Sequence, residues 1–114
     1  MRTEAVDISR VFGAVADPTR RAILARLRSG DAGVLELADE FPISQPAISK
    51  HLKVLESAGL VSRHRRNRFH LCRLEPGPLK EAAEWLGTYR EFWEDSFARL
   101  DEYTRLLAED GPDG

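Results

Sequence analysis

The sequence predicts a mainly α-helical domain with one small β-hairpin, an α+β fold of about five helices and two strands. Apolar residues recur at helical spacing through most of the chain, and Asp, Ser, Pro and Gly stand where helices would begin and end. One segment, residues 60–74, alternates like a β-hairpin instead. With 114 residues and 42% hydrophobic content, the chain is long enough for one compact domain. We expect this domain over residues 1–110 and a disordered tail over residues 111–114.

Three helices are predicted in the first part of the chain. Their ranges are residues 7–15, 18–29 and 34–41. Asp17 is suited to be an N-cap, and Pro18 fits the first position of the second helix. Pro42 cannot continue the third helix, so a tight turn leads to Ser44. The side chains expected to face the core are Ile8, Val11, Phe12, Val15, Ala22, Ile23, Leu24, Leu27, Leu37 and Phe41.

A fourth helix, predicted over residues 44–58, separates apolar from polar side chains. At ~100° per residue, its apolar side chains share one face. They are Ile48, Leu52 and Leu55. The opposite face is small, polar and cationic, with Pro46, Ser49, Lys50, Lys53 and Ser57. Ser44 is suited to cap the helix and Gly59 to end it. One face can pack while the other can enter a DNA groove, although an ordinary surface helix has a similar periodicity.

The third and fourth helices, joined by a short turn, form a helix-turn-helix arrangement. A hairpin wing is predicted after them over residues 60–74, with Asn67 where a left-handed turn residue belongs. Its tip consists of Arg65, Arg66, Asn67 and Arg68. This tip has the length and charge to lie along the sugar-phosphate backbone or to reach a minor groove. An exposed basic turn without a partner is the alternative. We expect Phe69 to belong to the core.

The net charge of -2 conceals a strong asymmetry along the chain. Residues 44–73 contain seven Lys and Arg but one acid, Glu56, which gives +6. Residues 74–114 carry four basic and eleven acidic side chains, giving -7, and residues 1–43 carry six and seven, giving -1. Because the positive charge coincides with the fourth helix and the hairpin, the pattern favours a polyanionic partner there.

A long helix is predicted over residues 78–108, with Gly87 as a point that weakens or kinks it. Its apolar stripe is wider than packing against a small domain requires. Dimerisation is the use that this pattern favours, and a ligand pocket among the aromatic side chains is the alternative. The residues predicted for the dimer interface on this helix are Leu86, Tyr89, Trp93, Phe97 and Leu100.

Three segments of the chain occur in a characteristic order and spacing. They are Ala-Asp-Pro-Thr-Arg-Arg-Ala-Ile-Leu at residues 16–24, Ser-Gln-Pro-Ala-Ile-Ser-Lys-His-Leu-Lys-Val-Leu at residues 44–55, and Ala-Gly-Leu-Val at residues 58–61. Together they closely resemble ArsR/SmtB-type winged helix-turn-helix transcriptional regulators, over roughly residues 6–108. The resemblance implies a homodimeric bacterial or archaeal repressor that binds a palindromic operator in double-stranded DNA and could regulate its own gene. It also implies that the first and last helices form the dimer interface, which adds Phe12 to that surface.

The resemblance does not extend to the metal sites of the family. Members that sense metals often carry two cysteines in the third helix, and Gly33 and Leu35 stand at those places here. A second family site uses Asp, His and Glu of the last helix, but His51, His64 and His70 all lie before that helix. We therefore expect a subgroup that binds neither a metal nor another cofactor. The sequence does not identify an effector. A small molecule, another protein and a response only to the repressor's own concentration all stay open.

Specific roles can be predicted for the polar residues of the fourth helix and wing. Gln45 and Ser49 can hydrogen-bond base edges, and Lys50 and Lys53 can meet guanine or phosphate. Pro46 either shapes the first turn or contacts a base. The whole predicted DNA-binding set is Ser44, Gln45, Pro46, Ser49, Lys50, Lys53, Arg65, Arg66, Asn67 and Arg68. Further candidates for phosphate contacts are Arg20, Arg21 and His51, of which His51 is expected to be half-buried and hydrogen-bonded.

Other classes of protein find less support in the sequence. No segment has the ~20 apolar residues of a membrane span, and no signal peptide opens the chain, so a cytoplasmic location without membrane contact is expected. The single cysteine, Cys72, fits a reducing compartment and a packing role. No spacing of nucleophile, acid and base indicates an enzyme. The alternative function is a winged-helix module that binds a protein instead of specific DNA.

Overall fold

In the computed structural model of the protein, which describes residues 6–109, six α-helices and three β-strands follow one another along the described chain. Their order is α1 (Ile8–Val15), α2 (Pro18–Leu27), β1 (Ala32–Gly33), α3 (Val34–Glu40), α4 (Gln45–Ser57), β2 (Val61–Arg66), β3 (Phe69–Leu74), α5 (Gly77–Gly87) and α6 (Arg90–Glu109). The chain divides into two compact units, Met1–Ala82 and Ala83–Gly114. A single domain over residues 1–110 stays a prediction, and the predicted tail over residues 111–114 lies outside the described residues.

The core of the first unit is built around α4, which packs against α1, α2, α3 and β2. Ile48, Leu52 and Leu55 are completely buried, as predicted from their helical spacing. The other large side chains with no exposed surface are Val11, Ile23, Leu37, Leu60 and Cys72. Ala22 was expected in this core but is exposed, because it lies about 100° around α2 from Ile23, whose direction is the buried one.

The beginnings of three helices are fixed by their N-cap side chains. The carboxylates of Asp7 and Asp17 accept hydrogen bonds from the backbone N–H groups of Arg10 and Arg20, at 3.3 and 3.0 Å. The hydroxyl of Ser44 accepts one from Ala47 N at 3.2 Å. Each bond satisfies a backbone donor that has no partner inside its helix. The predicted helix starts are therefore correct to within one residue.

The wing belongs to a three-stranded antiparallel sheet with the order β1-β3-β2. The prediction of two strands was incomplete, because Ala32 and Gly33 pair with Cys72 and Leu71. A strand of two residues shows no alternation along the sequence, so no local pattern announces it. At the tip, Asn67 has φ 56°, the left-handed backbone expected there.

The side chain of Phe69, expected in the core, is 69% exposed. Phe69 lies at the start of β3, opposite Arg66 in β2. The pairing of β3 with β1 reaches only to Leu71, so β1 does not run beside Phe69. Alternation predicts which side chains share a face, but not how far along the hairpin that face stays covered. The core prediction for Phe69 was wrong.

The single helix predicted over residues 78–108 is two helices, α5 and α6, and this prediction is corrected. Gly87 ends α5, since glycine has a low helix propensity. Backbone bonds from Thr88 N to Trp85 O and from Tyr89 N to Leu86 O, at 3.1 and 3.0 Å, tighten the last turn. The Thr88 hydroxyl also donates to Trp85 O at 2.7 Å. These local bonds replace continued helical bonding and break the helix.

Within the described residues, no helix is long and apolar enough to cross a membrane.

Candidate nucleic-acid interface

The polar face of α4 turns away from the core along its whole length. Gln45 and Pro46 are exposed in the first helical turn, where Pro46 fits because no intrahelical donor is required there. Ser49 is half-buried, and Lys50 and Lys53 are exposed. The Ser44 hydroxyl caps the helix through its oxygen, and its hydrogen stays available as a donor. The burial of the opposite face thus holds this polar face toward solvent.

Side-chain contacts also connect the last turn of α4 to α1 and to β2. The guanidinium of Arg10 in α1 donates to the Ser57 hydroxyl at 2.6 Å. Arg63 in β2 forms an ion pair with Glu56. Sequence reasoning missed both contacts, because Arg10 and Ser57 are 47 positions apart and Glu56 and Arg63 belong to different elements, so neither pair leaves a pattern in a single sequence. Both contacts are made with the last turn of α4, and they add to the packing that sets its rotation.

Arg20 links the start of α2 to α1 and α4. Its Nε donates to the Ala14 carbonyl at 2.7 Å and one terminal nitrogen to the Gly13 carbonyl at 3.1 Å. The other terminal nitrogen lies 3.3 Å from His51 Nδ1. Arginine can only donate, so a hydrogen bond between these two atoms requires Nδ1 to act as the acceptor. The bonds to the carbonyls satisfy the C-terminal end of α1.

The three further phosphate candidates therefore have partners inside the protein. Arg21 donates to the Val15 carbonyl at 2.8 Å, and His51 is half-buried as expected. The Asp17 carboxylate lies 4.0 Å from His51 Nδ1. A phosphate contact by Arg20, Arg21 or His51 stays a prediction, and the structure gives Arg20 and His51 a positioning role.

The cations of residues 44–73 fall into two groups. Arg63 is paired with Glu56, and Arg73 donates to Asp31 at 3.0 and 3.1 Å, which raises the pKa of Arg73 above its ordinary value. Lys50, Lys53, Arg66 and Arg68 form no ion pair with any residue that the structure describes. Within residues 6–109, Arg65 donates only to the carbonyl of Asn67 in its own turn, at 3.3 Å. The unpaired cations thus lie on the exposed face of α4 and at the wing tip.

A groove open to solvent lies between α3, α4 and the wing. Its volume is about 680 Å³. Leu35 and Phe69 stand in its apolar lining, and Gln45, Ser49 and Arg68 supply polar groups. Leu35 is 67% exposed. The sequence did not predict this groove, because Phe69 was expected in the core and no contact was expected for Leu35.

The described part of the chain does not bring together residues that could hold a metal ion. No group of three or more His, Cys, Asp and Glu side chains with metal-binding geometry occurs among residues 6–109. Cys72 is completely buried, and burial raises the pKa of its thiol. Gly33 and Leu35 offer no side-chain ligand atoms. The polar contacts of His64 are with Ser62 at 2.8 Å and, at 4.0 Å, with Glu75.

Helix α6 in the second unit leaves its apolar side chains exposed. By helical spacing, one half of its circumference is apolar and the other half acidic. The apolar half contains Phe92, Trp93, Phe97, Leu100, Tyr103, Leu106 and Leu107, each at least 50% exposed. Trp93 contacts Phe92 and Phe97, with ring centroids 5.4 and 6.4 Å apart. Of the predicted interface residues, Leu86, Tyr89, Trp93, Phe97 and Leu100 are exposed, and Phe12 is partly buried against the core.

The helix-turn-helix of α3 and α4, followed by a hairpin with a basic tip, defines the winged helix-turn-helix class of transcriptional regulators. A family model described as "Bacterial regulatory protein, arsR family" matches residues 17–63. The transcriptional repressor SdpR of Bacillus subtilis (strain 168) is 39% identical over 79 residues, covering 69% of this chain and 88% of that protein. The chain belongs to the ArsR family of bacterial regulatory proteins.

Other relatives extend the similarity over most of the chain. The HTH-type transcriptional regulator Rv2034 of Mycobacterium tuberculosis is 38% identical over 104 residues, covering 91% of this chain and 92% of that protein. A crystal structure of the ArsR family transcriptional regulator RHA00566 has a TM-score of 0.70 at 38% identity, covering 82% of this chain and 97% of that one. The homodimeric winged helix-turn-helix DNA-binding domain Mb0332 of Mycobacterium bovis has a TM-score of 0.60 at 26% identity, covering 77% and 82%.

The Asp17 cap predicts a measurable dependence of stability on pH. Hydrogen bonding from the backbone of Arg20 lowers the pKa of Asp17 below its ordinary value. The carboxylate therefore stabilises the fold above the ordinary pKa of aspartate, and this contribution disappears as the pH falls through the lowered value. Asp17→Asn keeps a capping oxygen but cannot titrate. We expect the melting temperature of D17N to fall less than that of the unsubstituted protein between pH 7 and ~pH 3.

The matched control is Asp39→Asn, since Asp39 is exposed in α3 and its carboxylate takes part in no hydrogen bond or ion pair with the described residues. Thermal unfolding followed by circular dichroism compares the three proteins. Equal losses of melting temperature in D17N and D39N would contradict a stabilising role for the charge of Asp17.

Proposed function

We propose that the protein is a homodimeric repressor that binds a palindromic operator, in the cytoplasm, through α4 and the wing tip. One observation carries this proposal: the cations of residues 44–73 that lack acidic partners among the described residues are confined to those two elements. Elsewhere in this segment, Arg63 and Arg73 are neutralised by Glu56 and Asp31. If the charges of this segment were incidental, as in a module that binds protein, paired and unpaired cations would not be expected to lie on separate elements.

The first turns of α4 are suited to read base edges in the major groove. Gln45 can form two hydrogen bonds with adenine, and the hydroxyl of Ser49 can donate or accept. Pro46 places an apolar ring beside them, and Ser44 adds a hydroxyl at the N-terminus. Because backbone N–H groups of a helix N-terminus also attract phosphate, this end of α4 can enter the groove first.

Lysine and arginine side chains supply the electrostatic part of the proposed binding. Lys50 and Lys53 project from α4, and Arg65, Arg66 and Arg68 flank Asn67 at the wing tip. Each cation that reaches a phosphate releases condensed counterions, which strengthens binding to any DNA sequence. In this proposal the wing contributes affinity and α4 contributes most of the sequence preference.

The apolar half of α6 supports a dimer. A monomeric protein rarely exposes so many large apolar side chains on one surface, and burying them against a second copy removes that surface from water. The M. bovis neighbour is named as homodimeric. A two-fold dimer presents two copies of α4, and such dimers read half-sites about one helical turn, ~34 Å, apart.

Regulation without a metal is part of the proposal. Gly33 and Leu35 lack ligand atoms, and Cys72 is enclosed in the core with a raised pKa. A buried thiol of this kind is a poor metal ligand, because the thiolate is the binding form. The proposed repressor therefore responds to something other than a transition metal.

Binding-site selection from genomic fragments with the purified protein tests the function directly. We expect enriched fragments to share a palindrome whose half-sites lie about one helical turn apart. Fragments without dyad symmetry would contradict the dimeric mode of reading. The absence of any enriched sequence would favour the alternative of a winged-helix module that binds protein.

Lys53→Ala and Arg66→Ala are expected to weaken binding to the selected operator and to flatten its salt dependence. Each substitution removes one proposed phosphate contact per protomer, so the slope of log K against log salt should fall by about 1.8 per dimer. Fluorescence anisotropy at several salt concentrations measures this slope. The matched control is Lys80→Ala, an exposed lysine of α5 outside the proposed site. A slope in K53A and R66A equal to that of K80A would exclude these contacts.

Phe97→Glu is expected to convert a dimer into a monomer at micromolar concentration. Placing a carboxylate in an apolar interface leaves a charge buried without a partner. Sedimentation velocity measures the mass of each protein. Ala98→Glu adds the same charge about 100° away, on the acidic half of α6, and should remain dimeric. An unsubstituted protein that sediments as a monomer would overturn the proposed dimer.

A further inference from the structure

The groove between α3, α4 and the wing combines an apolar wall, a cation and part of the polar face of α4. We propose that it binds an amphipathic organic anion, and that this ligand competes with DNA for the protein. The second part rests on the proposed function, whereas the binding of the anion does not. The volume of about 680 Å³ lies within the usual range of small-molecule sites.

The apolar wall of the groove contains two large side chains that are exposed to solvent. Leu35 and Phe69 are 67% and 69% exposed, although each is large enough to belong to a core. They come from different elements, α3 and β3, and line the same groove together with Val34 and Leu71. Two exposed apolar side chains that converge on one concavity indicate a ligand with an apolar body.

The charges in the groove select the sign of the ligand. Glu36 also lines it, but its carboxylate is paired with Arg26 at 3.2 Å and accepts from Gly33 N at 3.3 Å. Arg63 is paired with Glu56. Arg68 is therefore the charged lining residue whose partner is absent among residues 6–109, and its guanidinium can bind a carboxylate in two places at once.

The polar face of α4 forms the other side of the groove. Gln45 and Ser49 line it, and the same two side chains are the proposed readers of base edges. A ligand held against Leu35 and Phe69 with its carboxylate at Arg68 would cover them. DNA and the anion therefore exclude each other by direct overlap.

Naphthoate and its neutral amide, naphthamide, are suitable probes, because they share one apolar body and differ in charge. We expect naphthoate to shift the backbone amide NMR signals of Leu35 and Phe69 in the nitrogen-15-labelled full chain, saturably and without DNA. Its Kd should be about threefold lower than that of naphthamide, as one exposed ion pair provides. Arg68→Gln should remove this difference. The site would be overturned if the signal change did not saturate, or if the signals that shift belonged to α6 and not to Leu35 and Phe69.

The double variant Leu35→Ser/Phe69→Thr should raise the Kd of naphthoate at least about tenfold, because it removes most of the apolar wall. Both side chains are exposed, so the variant is expected to keep its fold, and the same spectra check this. The matched control is Val54→Ala, which removes part of an exposed apolar side chain of α4 outside the groove. Equal Kd values in the double variant and V54A would refute the apolar wall as a binding surface.

Competition is measured with a fluorescent DNA duplex of arbitrary sequence at low salt. We expect saturating naphthoate to weaken duplex binding at least about tenfold in the unsubstituted protein and in V54A, and to have little effect in the double variant. Simultaneous binding with unchanged Kd would overturn the overlap. A duplex that fails to bind even without naphthoate would instead remove the proposed function, and the NMR titration would still decide whether the anion binds.

Discussion

The burial of one face of α4 is the constraint on which the candidate interface depends. Ile48, Leu52 and Leu55 have no exposed surface, and burying each such side chain contributes about 1.5–3 kcal/mol. The ion pair of Glu56 with Arg63 is partly exposed, and such pairs contribute about 0–1 kcal/mol. Packing therefore sets the rotation of α4 about its axis, and the ion pair adds little. With the apolar face fixed, helical geometry leaves the polar face no direction except solvent.

The ion pairs of the first unit have a second consequence, which concerns charge. Asp31 and Glu56 neutralise Arg73 and Arg63 near the base of the wing, so the positive potential is concentrated at the tip and on α4. Arg20 adds order without adding to this surface, because its donors end on α1 carbonyls and on His51. A count of +6 along the sequence therefore overstates the charge that DNA can meet. The cations that remain unpaired, however, are concentrated on the two elements proposed to contact DNA.

Features set by neighbouring residues could be predicted from the sequence, and features set by distant ones could not. The cap at Ser44, the buried face of α4 and the left-handed Asn67 each follow from a few adjacent positions. The strand β1 and the exposure of Phe69 depend on how far β1 runs beside β3, which a single sequence does not encode locally. The division of the last helix was predicted in part: Gly87 was recognised as the weak point, but a complete break into α5 and α6 was not predicted. The interface side chains could be predicted by type, but the groove beside them required two distant segments to meet.

The location of the groove bears on how the proposed metal-independent regulator could be switched. A ligand that binds far from α4 must favour one of two conformations of the protein, and its effect is limited by the difference in its affinity for them. A ligand bound between Leu35 and Phe69 needs no second conformation, because it occupies space beside Gln45 and Ser49. The effect of the ligand grows with the ratio of its concentration to its Kd, until the DNA is displaced. By the resemblance in sequence, Leu35 stands where metal-sensing members of the family often carry a cysteine, so the proposed apolar wall occupies the place expected for a metal ligand.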